Sequence, residues 1–265
     1  MASVIKLRED WDPDKHSSGL NPNTVCVSRI RRDLSSLLKD PLSGILVIPD
    51  QDDITKMNVL VTGPCETPYE KGFFHFFMRM PYNYPIHPPR VKFLTTGAGS
   101  VRFNPNLYAN GKVCLSILGT WSGPGWTPAQ NVTSVVLSIQ SLMCEKPYHN
   151  EPGYEFERNK DDVRNYNIVI YHETLRVGVC DVLEGKHPLP PNMIDVVSDS
   201  FIDFYDYYMA KIDELMVYQG KPFRDPHGFN RGTFNFIHIR ERMGKIFKSI
   251  QKKNAKAKEV IVIDD

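Results

Sequence analysis

With 265 residues, 41% of them hydrophobic, and a net charge of +1, the chain has material for a packed core and no charge excess to draw it to nucleic acid or an anionic membrane. No apolar run approaches the roughly 18 residues that span a bilayer, and Met1 to Asp10 lacks the apolar stretch of a secretory signal. Five scattered cysteines (Cys26, Cys65, Cys114, Cys144, Cys180) without a Cys-x-x-Cys pair argue against a disulfide framework or a zinc site, and for a reducing cytosolic or nuclear compartment.

Residues 1–20 read as an N-terminal tail. Asn21-Pro22-Asn23-Thr24 is a helix-start signal, and Val27, Ile30, Leu34, Leu37 and Leu38 recur at helical spacing until Asp40-Pro41 stops the run. Four β-rich stretches follow, at Ile45 to Ile48, Met57 to Thr62, Phe73 to Met80 and Val91 to Leu94. Short turns separate them, which predicts an antiparallel meander rather than βαβ crossovers. Asn131 to Met143 reads as a buried helix and Asp161 to Val177 as another. The core, 21–180, is therefore expected to be α+β, with helices covering one face of a small sheet. The remainder, 181–265, reads as a helical extension that begins at the Pro188 to Pro191 break. It carries amphipathic patterns from Ile194 to Leu215 and from Phe236 to Ile250. Arg240 to Lys258 is strongly basic, and 259–265 is a short β-prone segment flanked by acids, expected to add as an edge strand within this chain or to a partner.

The chemistry-bearing stretch is Phe103-Asn104-Pro105-Asn106-Leu107-Tyr108-Ala109-Asn110-Gly111-Lys112-Val113-Cys114-Leu115, followed by Trp126-Thr127-Pro128-Ala129. A turn-forming Asn-Pro-Asn lies a short distance before one cysteine. Taken with Gly63-Pro64, Pro68-Tyr69-Glu70-Lys71-Gly72, Tyr84-Pro85-Ile86-His87-Pro88-Pro89, Ser138-Ile139-Gln140-Ser141-Leu142 and Asn150-Glu151-Pro152-Gly153-Tyr154-Glu155, it closely resembles the ubiquitin-conjugating enzyme family. The C-terminal extension, Tyr166-Asn167 and His172-Glu173 are most similar to a large member of that family. The resemblance implies the UBC fold and an acyl transferase. Such an enzyme takes ubiquitin or a ubiquitin-like protein from an activating enzyme as a thioester and passes it to lysine, usually with a ligase.

Carried onto this sequence, the resemblance makes Cys114 the nucleophile, since a thiolate both attacks a thioester and leaves well. It makes Asn106 either an oxyanion donor or a brace for the loop carrying Cys114, with a turn asparagine as the plain alternative. It makes Glu151 the acidic residue that orients the incoming lysine and accepts its proton, against the alternative of an exposed loop glutamate. Asn104 stands where the family has His, and Ser116 where many members carry an acid. Arg29, Arg31 and Arg32 on the first helix are implied contacts for the activating enzyme. Ile86 with Thr127, Pro128 and Ala129 is the implied dock for RING or HECT ligases. No cofactor is implied, because ATP is consumed by the activating enzyme. A tandem ubiquitin-like modifier is a second candidate cargo, and the alternative activating enzyme the upstream partner. Two Gly-rich insertions, Thr95 to Val101 and Thr120 to Gly125, are expected to be mobile surface loops. Two rival classes are an inactive ubiquitin-binding module and a thiol hydrolase, the latter lacking any Cys-His signature.

Overall fold

The computed structural model describes residues 9–15 and 20–263, with side chains to 255; residues 1–8, most of the stretch read as lacking a signal, and 16–19 lie outside the described residues. Helix α1 (Thr24–Lys39) begins where the Asn23 side chain accepts the Cys26 N–H at 2.7 Å, and ends at Asp40. Strands β1 (Ile45–Pro49), β2 (Lys56–Thr62), β3 (Phe73–Arg79) and β4 (Arg90–Phe93) pair antiparallel in chain order. This is the expected meander, with Val59 opposite Phe76 and Phe76 opposite Phe93. The turn into β3 requires glycine, because a Cβ on Gly63 would lie 1.7 Å from the Tyr69 carbonyl oxygen. Helix α2 (Val132–Leu142) opens with a reciprocal capping box between Asn131 and Ser134.

Helix α3 (Asp162–Glu173) continues without a break into a π-helical stretch, Thr174–Asp181. Helices α4 (Pro191–Leu215) and α5 (Phe236–Ile263) form the extension. The 259–263 backbone continues α5, where the sequence suggests an edge strand; 264–265 lie outside the described residues. An established helix lengthens at little cost, and β-branched residues oppose it by less than about 1 kcal/mol each.

The sheet is buried on both faces, not one. Met57, Val59, Val61, Phe74, Phe76 and Met78 face the core shared with α1 and α2. Leu60 and Phe73 point the other way, into a second apolar cluster with Ile168, Val179, Met193, Phe201, Tyr208, Phe236 and Met243. The amphipathic stripes of α4 and α5 are satisfied by this second face and by each other. Polar contacts fix the docking. The Tyr208 hydroxyl donates to the Lys71 carbonyl at 2.7 Å, and Arg242 pairs with Asp181 and with Glu184 at 2.8 Å. His75 Nδ1 lies 2.7 Å from His187 Nε2, while His75 Nε2 meets Asn58 Oδ1 at 2.9 Å. Asn58 accepts, so His75 carries its proton on Nε2 and His187 donates to Nδ1.

Two loop expectations need correction. The ends of 95–101 are packed, not at the surface: Thr95, Thr96 and Val101 are buried and the Thr95 hydroxyl accepts the His75 N–H, while 98–100 are exposed as expected. Thr120, at the start of the second insertion, is buried too; only 122–125 stand in solvent. Leu38, assigned to the apolar stripe of α1, is 81% exposed, and Cys26 takes a core place instead. The segment 9–15 is held along β4, with Asp12 and Asp14 on Lys92.

Candidate active site

The segment before Cys114 is stitched to the edge of the sheet. Phe93 N–H donates to the Gly111 carbonyl at 2.8 Å, Lys92 bridges Lys112, and Leu107 bridges Val113. Gly111 turns this hairpin at φ +90°, and a Cβ there would lie 2.7 Å from the Phe93 oxygen. Cys114 N–H then donates to the Asn106 carbonyl at 2.9 Å, and Asn106 Nδ2 donates to the Cys114 carbonyl at 2.8 Å. In this arrangement Asn106 braces the backbone of Cys114, one of the two roles the sequence leaves open. Thr120 completes the frame: its hydroxyl donates to the Val113 carbonyl at 2.6 Å and accepts the Leu115 N–H at 3.0 Å.

Asn104 is fully buried and uses its whole hydrogen-bonding capacity. Its Nδ2 donates to the Tyr69 hydroxyl oxygen at 2.9 Å and the Leu142 carbonyl at 2.8 Å. Its Oδ1 accepts from Asn106 N–H at 2.9 Å and Asn150 Nδ2 at 3.3 Å. Tyr69 in turn donates to the Phe103 carbonyl. An amide therefore satisfies this site from both sides, joining the Cys114 loop to α2 and to the Asn150-Glu151 turn.

Cys114 itself is 1% exposed. Burial pushes its thiol up from the ordinary range, opposed by the Lys112 charge, the nearby Tyr108 hydroxyl and the Arg102 charge. At rest the group is a protonated thiol in a setting arranged to receive a thiolate. Arg102 sits in the middle of this setting. Its guanidinium lies 4.0 Å from the Tyr108 ring centre and donates to the Pro105 carbonyl at 2.6 Å. A longer contact, 3.4 Å, reaches Glu151 Oε2. Glu151 is close enough for its charge to act on both Cys114 and Tyr108. Cys114, Asn106 and Glu151, eight and thirty-seven positions from Cys114 respectively, thus converge on one place. His149 is bonded to the Tyr154 carbonyl, His87 lies against Asn83, and His172 lies between Glu173 and the Asn235 N–H, so none forms a dyad with the cysteine.

Comparison with known proteins places this geometry. The sequence profile of ubiquitin-conjugating enzymes matches residues 29–168. The chain is 51% identical over 247 residues to ubiquitin-conjugating enzyme E2 Z of Danio rerio, covering 93% of this chain and 74% of that protein. It is 50% identical over 255 residues to the Homo sapiens E2 Z, covering 94% and 72%. The chain belongs to the ubiquitin-conjugating enzyme family. A more distant match of this conjugating enzyme, 41% over 195 residues, is to the Homo sapiens dual E2 ubiquitin-conjugating enzyme/E3 ubiquitin-protein ligase BIRC6, of which it covers 4%.

On the conjugating enzyme's surface, Ile86 is 65% exposed, and Thr127, Pro128 and Ala129 are exposed beside it. Trp126 Nε1 donates to the Pro85 carbonyl at 2.7 Å, tying the two loops together. Arg31 and Arg32 stand free on α1. Arg29 does not: it donates to the Pro128 carbonyl at 2.9 Å, the Gln130 carbonyl at 2.6 Å and Asp33 at 2.8 Å. It ties α1 to the loop of residues 127–130. Asp33, also receiving the Tyr84 hydroxyl and the Val132 N–H, is the buried hub of that junction.

Arg102, Tyr108, Thr120 and Asp33 escaped the sequence reading. Tyr108 lies inside the quoted motif and Thr120 opens the second insertion, yet nothing local marks either as facing the cysteine. Arg102 has a signal only in three dimensions.

Proposed function

We propose that Cys114 carries ubiquitin or a ubiquitin-like protein as a thioester. The observation that supports this most is the setting of the sulfur: its backbone is fixed by Asn106 and Thr120, and although burial raises the thiol, Lys112, Tyr108 and Arg102 oppose that rise. The Cys114 thiolate attacks the carbonyl carbon of the thioester on the activating enzyme; the new C–S bond forms, the old one breaks, and the activating enzyme's thiolate leaves. A lysine amine then attacks the same carbon, the C–S bond to Cys114 breaks, and its thiolate is regenerated. Glu151, with its one long contact to Arg102, retains lone pairs to orient that amine and take its proton. Because the sulfur is covered, loading includes an opening of the site.

The reaction uses no cofactor or metal on this chain; ATP is spent upstream. Membership of the conjugating-enzyme family supports ubiquitin, an activating enzyme and ligases as partners in general. We further propose a tandem ubiquitin-like modifier as second cargo, the alternative activating enzyme upstream, RING or HECT ligases at Ile86 and Thr127 to Ala129, and a place in cytoplasm and nucleus. Among the described residues no helix is long and apolar enough to cross a membrane. The test is incubation with activating enzymes, ATP and modifier, followed by a non-reducing gel. The expected result is a DTT-sensitive adduct, absent from Cys114→Ala and replaced by a DTT-resistant ester in Cys114→Ser. No adduct with any modifier would instead favour the inactive ubiquitin-binding module, the reading to which the full burial of Cys114 lends weight.

A further inference from the structure

The stretch between α4 and α5 does not stay with the extension. It runs back to the core and closes on Arg102. Asn230, 5% exposed, clasps the Arg102 backbone from both sides: its Oδ1 accepts the Arg102 N–H at 3.0 Å and its Nδ2 donates to the Arg102 carbonyl at 3.0 Å. The Phe229 ring lies 3.6 Å from the Arg102 guanidinium carbon, so the guanidinium is placed against both Phe229 and Tyr108. The clasp is itself supported. Asp225 Oδ2 accepts from Asn230 N–H at 2.9 Å and Nδ2 at 3.1 Å, and its Oδ1 accepts from His227 N–H at 2.9 Å. His227 stacks on Phe229 at 5.0 Å and on Tyr148 at 4.8 Å, and meets the Tyr148 carbonyl at 3.2 Å.

The Arg102 side chain touches three parts of the candidate site: the Pro105 carbonyl within Asn104-Pro105-Asn106, the Tyr108 ring and the Glu151 carboxylate. A guanidinium on a long stem keeps such a position only if its rotamers are restrained, since fixing it costs the freedom of several rotatable bonds. Core residues supply part of that restraint. Phe229 and Asn230, more than 120 positions downstream, supply the rest.

We propose that Asn230 and Phe229 are positioning residues for the transfer reaction, holding Arg102 where it orients Tyr108 and Glu151 around Cys114, so that the extension sets the reactivity of the catalytic thiol. This rests on the reading of Cys114 as the nucleophile. The restraint is electrostatic as well as steric: a displaced Arg102 removes a positive charge from beside the sulfur and frees the Tyr108 ring to turn away.

The experiment measures the pH profile of Cys114 alkylation by iodoacetamide in full-length protein, with peptide mapping to separate Cys114 from Cys65. Phe229→Leu, Phe229→Tyr and Asn230→Ala are compared with wild type below their melting temperatures. Phe229→Leu keeps most of the apolar bulk of this half-buried side chain and removes the aromatic face, so it remains folded where Phe229→Ala need not. The expected result is a profile moved to higher pH in Phe229→Leu and Asn230→Ala, with a several-fold fall in rate at pH 7, and a wild-type profile in Phe229→Tyr. In parallel, discharge of loaded enzyme to free lysine slows while loading still reaches completion. Coincident profiles in all folded variants, even with lowered melting temperatures, would overturn the proposal and leave these residues as packing alone. Alkylation needs no modifier. A wild-type chain that forms no adduct would therefore defeat the thioester reading without deciding the clamp, which the alkylation profiles decide separately.

Discussion

The segment around Cys114 and the C-terminal extension are built on different principles. The first is closed by short-range bonds: Asn106 to Cys114 across eight positions, Thr120 to Val113 across seven, Asn106 to Asn104 across two. The second is held by bonds that span the chain, Tyr208 to Lys71 across 137 positions and Asn230 to Arg102 across 128. Short-range closure makes a site that a local motif specifies. Long-range closure makes an attachment that depends on the whole fold, and that can be loosened without dismantling the site.

Acid is the strongest lever on the attachment. Burial first, and then His187, push His75 down to about 3 from its ordinary 6.5, so the folded protein favours neutral imidazole. The stabilisation this provides is fully present above about pH 6.5 and is lost progressively as pH falls toward 3. Glu184, held at about 2 chiefly by Arg242, adds a further loss between its ordinary 4.5 and 2. The urea midpoint should therefore drop steeply below pH 6.5. A His187→Gln variant, which relieves the repulsion on His75, should show a shallower fall; a midpoint flat from pH 7 to 4 would contradict this docking chemistry.

Substitution at Arg242 comes next. The side chain is 8% exposed and answers both Asp181 and Glu184, so Arg242→Ala leaves those acids with Lys186 and a longer contact from Arg176 to Asp181, at about 3 kcal/mol by urea unfolding. Asn104→Ala, on the other side of the comparison, removes four bonds of the active-site frame and takes from the buried Asn106 N–H its acceptor. The expected loss is about 2–3 kcal/mol, accompanied by lower loading, since the Cys114 loop loses its tie to α2. Tyr208→Phe removes one bond to Lys71 and should cost about 1 kcal/mol with loading unchanged. Equal loading defects from Tyr208→Phe and Asn104→Ala would erase the distinction between the two regions.

That distinction also marks what the sequence could show. The meander was legible because turn residues and β-branched runs alternate at short spacing, and the helices because Asn23, Asn131 and Pro191 announce their starts. Cys114 and Asn106 were legible through a local motif. The second buried face of the sheet was not, because Leu60 and Phe73 look like ordinary members of strands whose other residues already fill one core. Thr95 to Val101 looked like a wholly solvated insertion because its glycines signal turns, while the burial of Thr95, Thr96 and Val101 at its ends is decided by neighbours elsewhere in the chain. Arg29 looked like part of a solvated basic face because helical periodicity does not reveal carbonyls brought in from residues 128 and 130.

The most direct test of the whole account is the location of the modifier. Cys65 is exposed and Cys114 buried, so simple accessibility would favour Cys65. Peptide mapping of the adduct after loading with activating enzyme and ATP should find the modifier's C-terminus on Cys114 alone; an adduct on Cys65, or one that persists in Cys114→Ala, would contradict it.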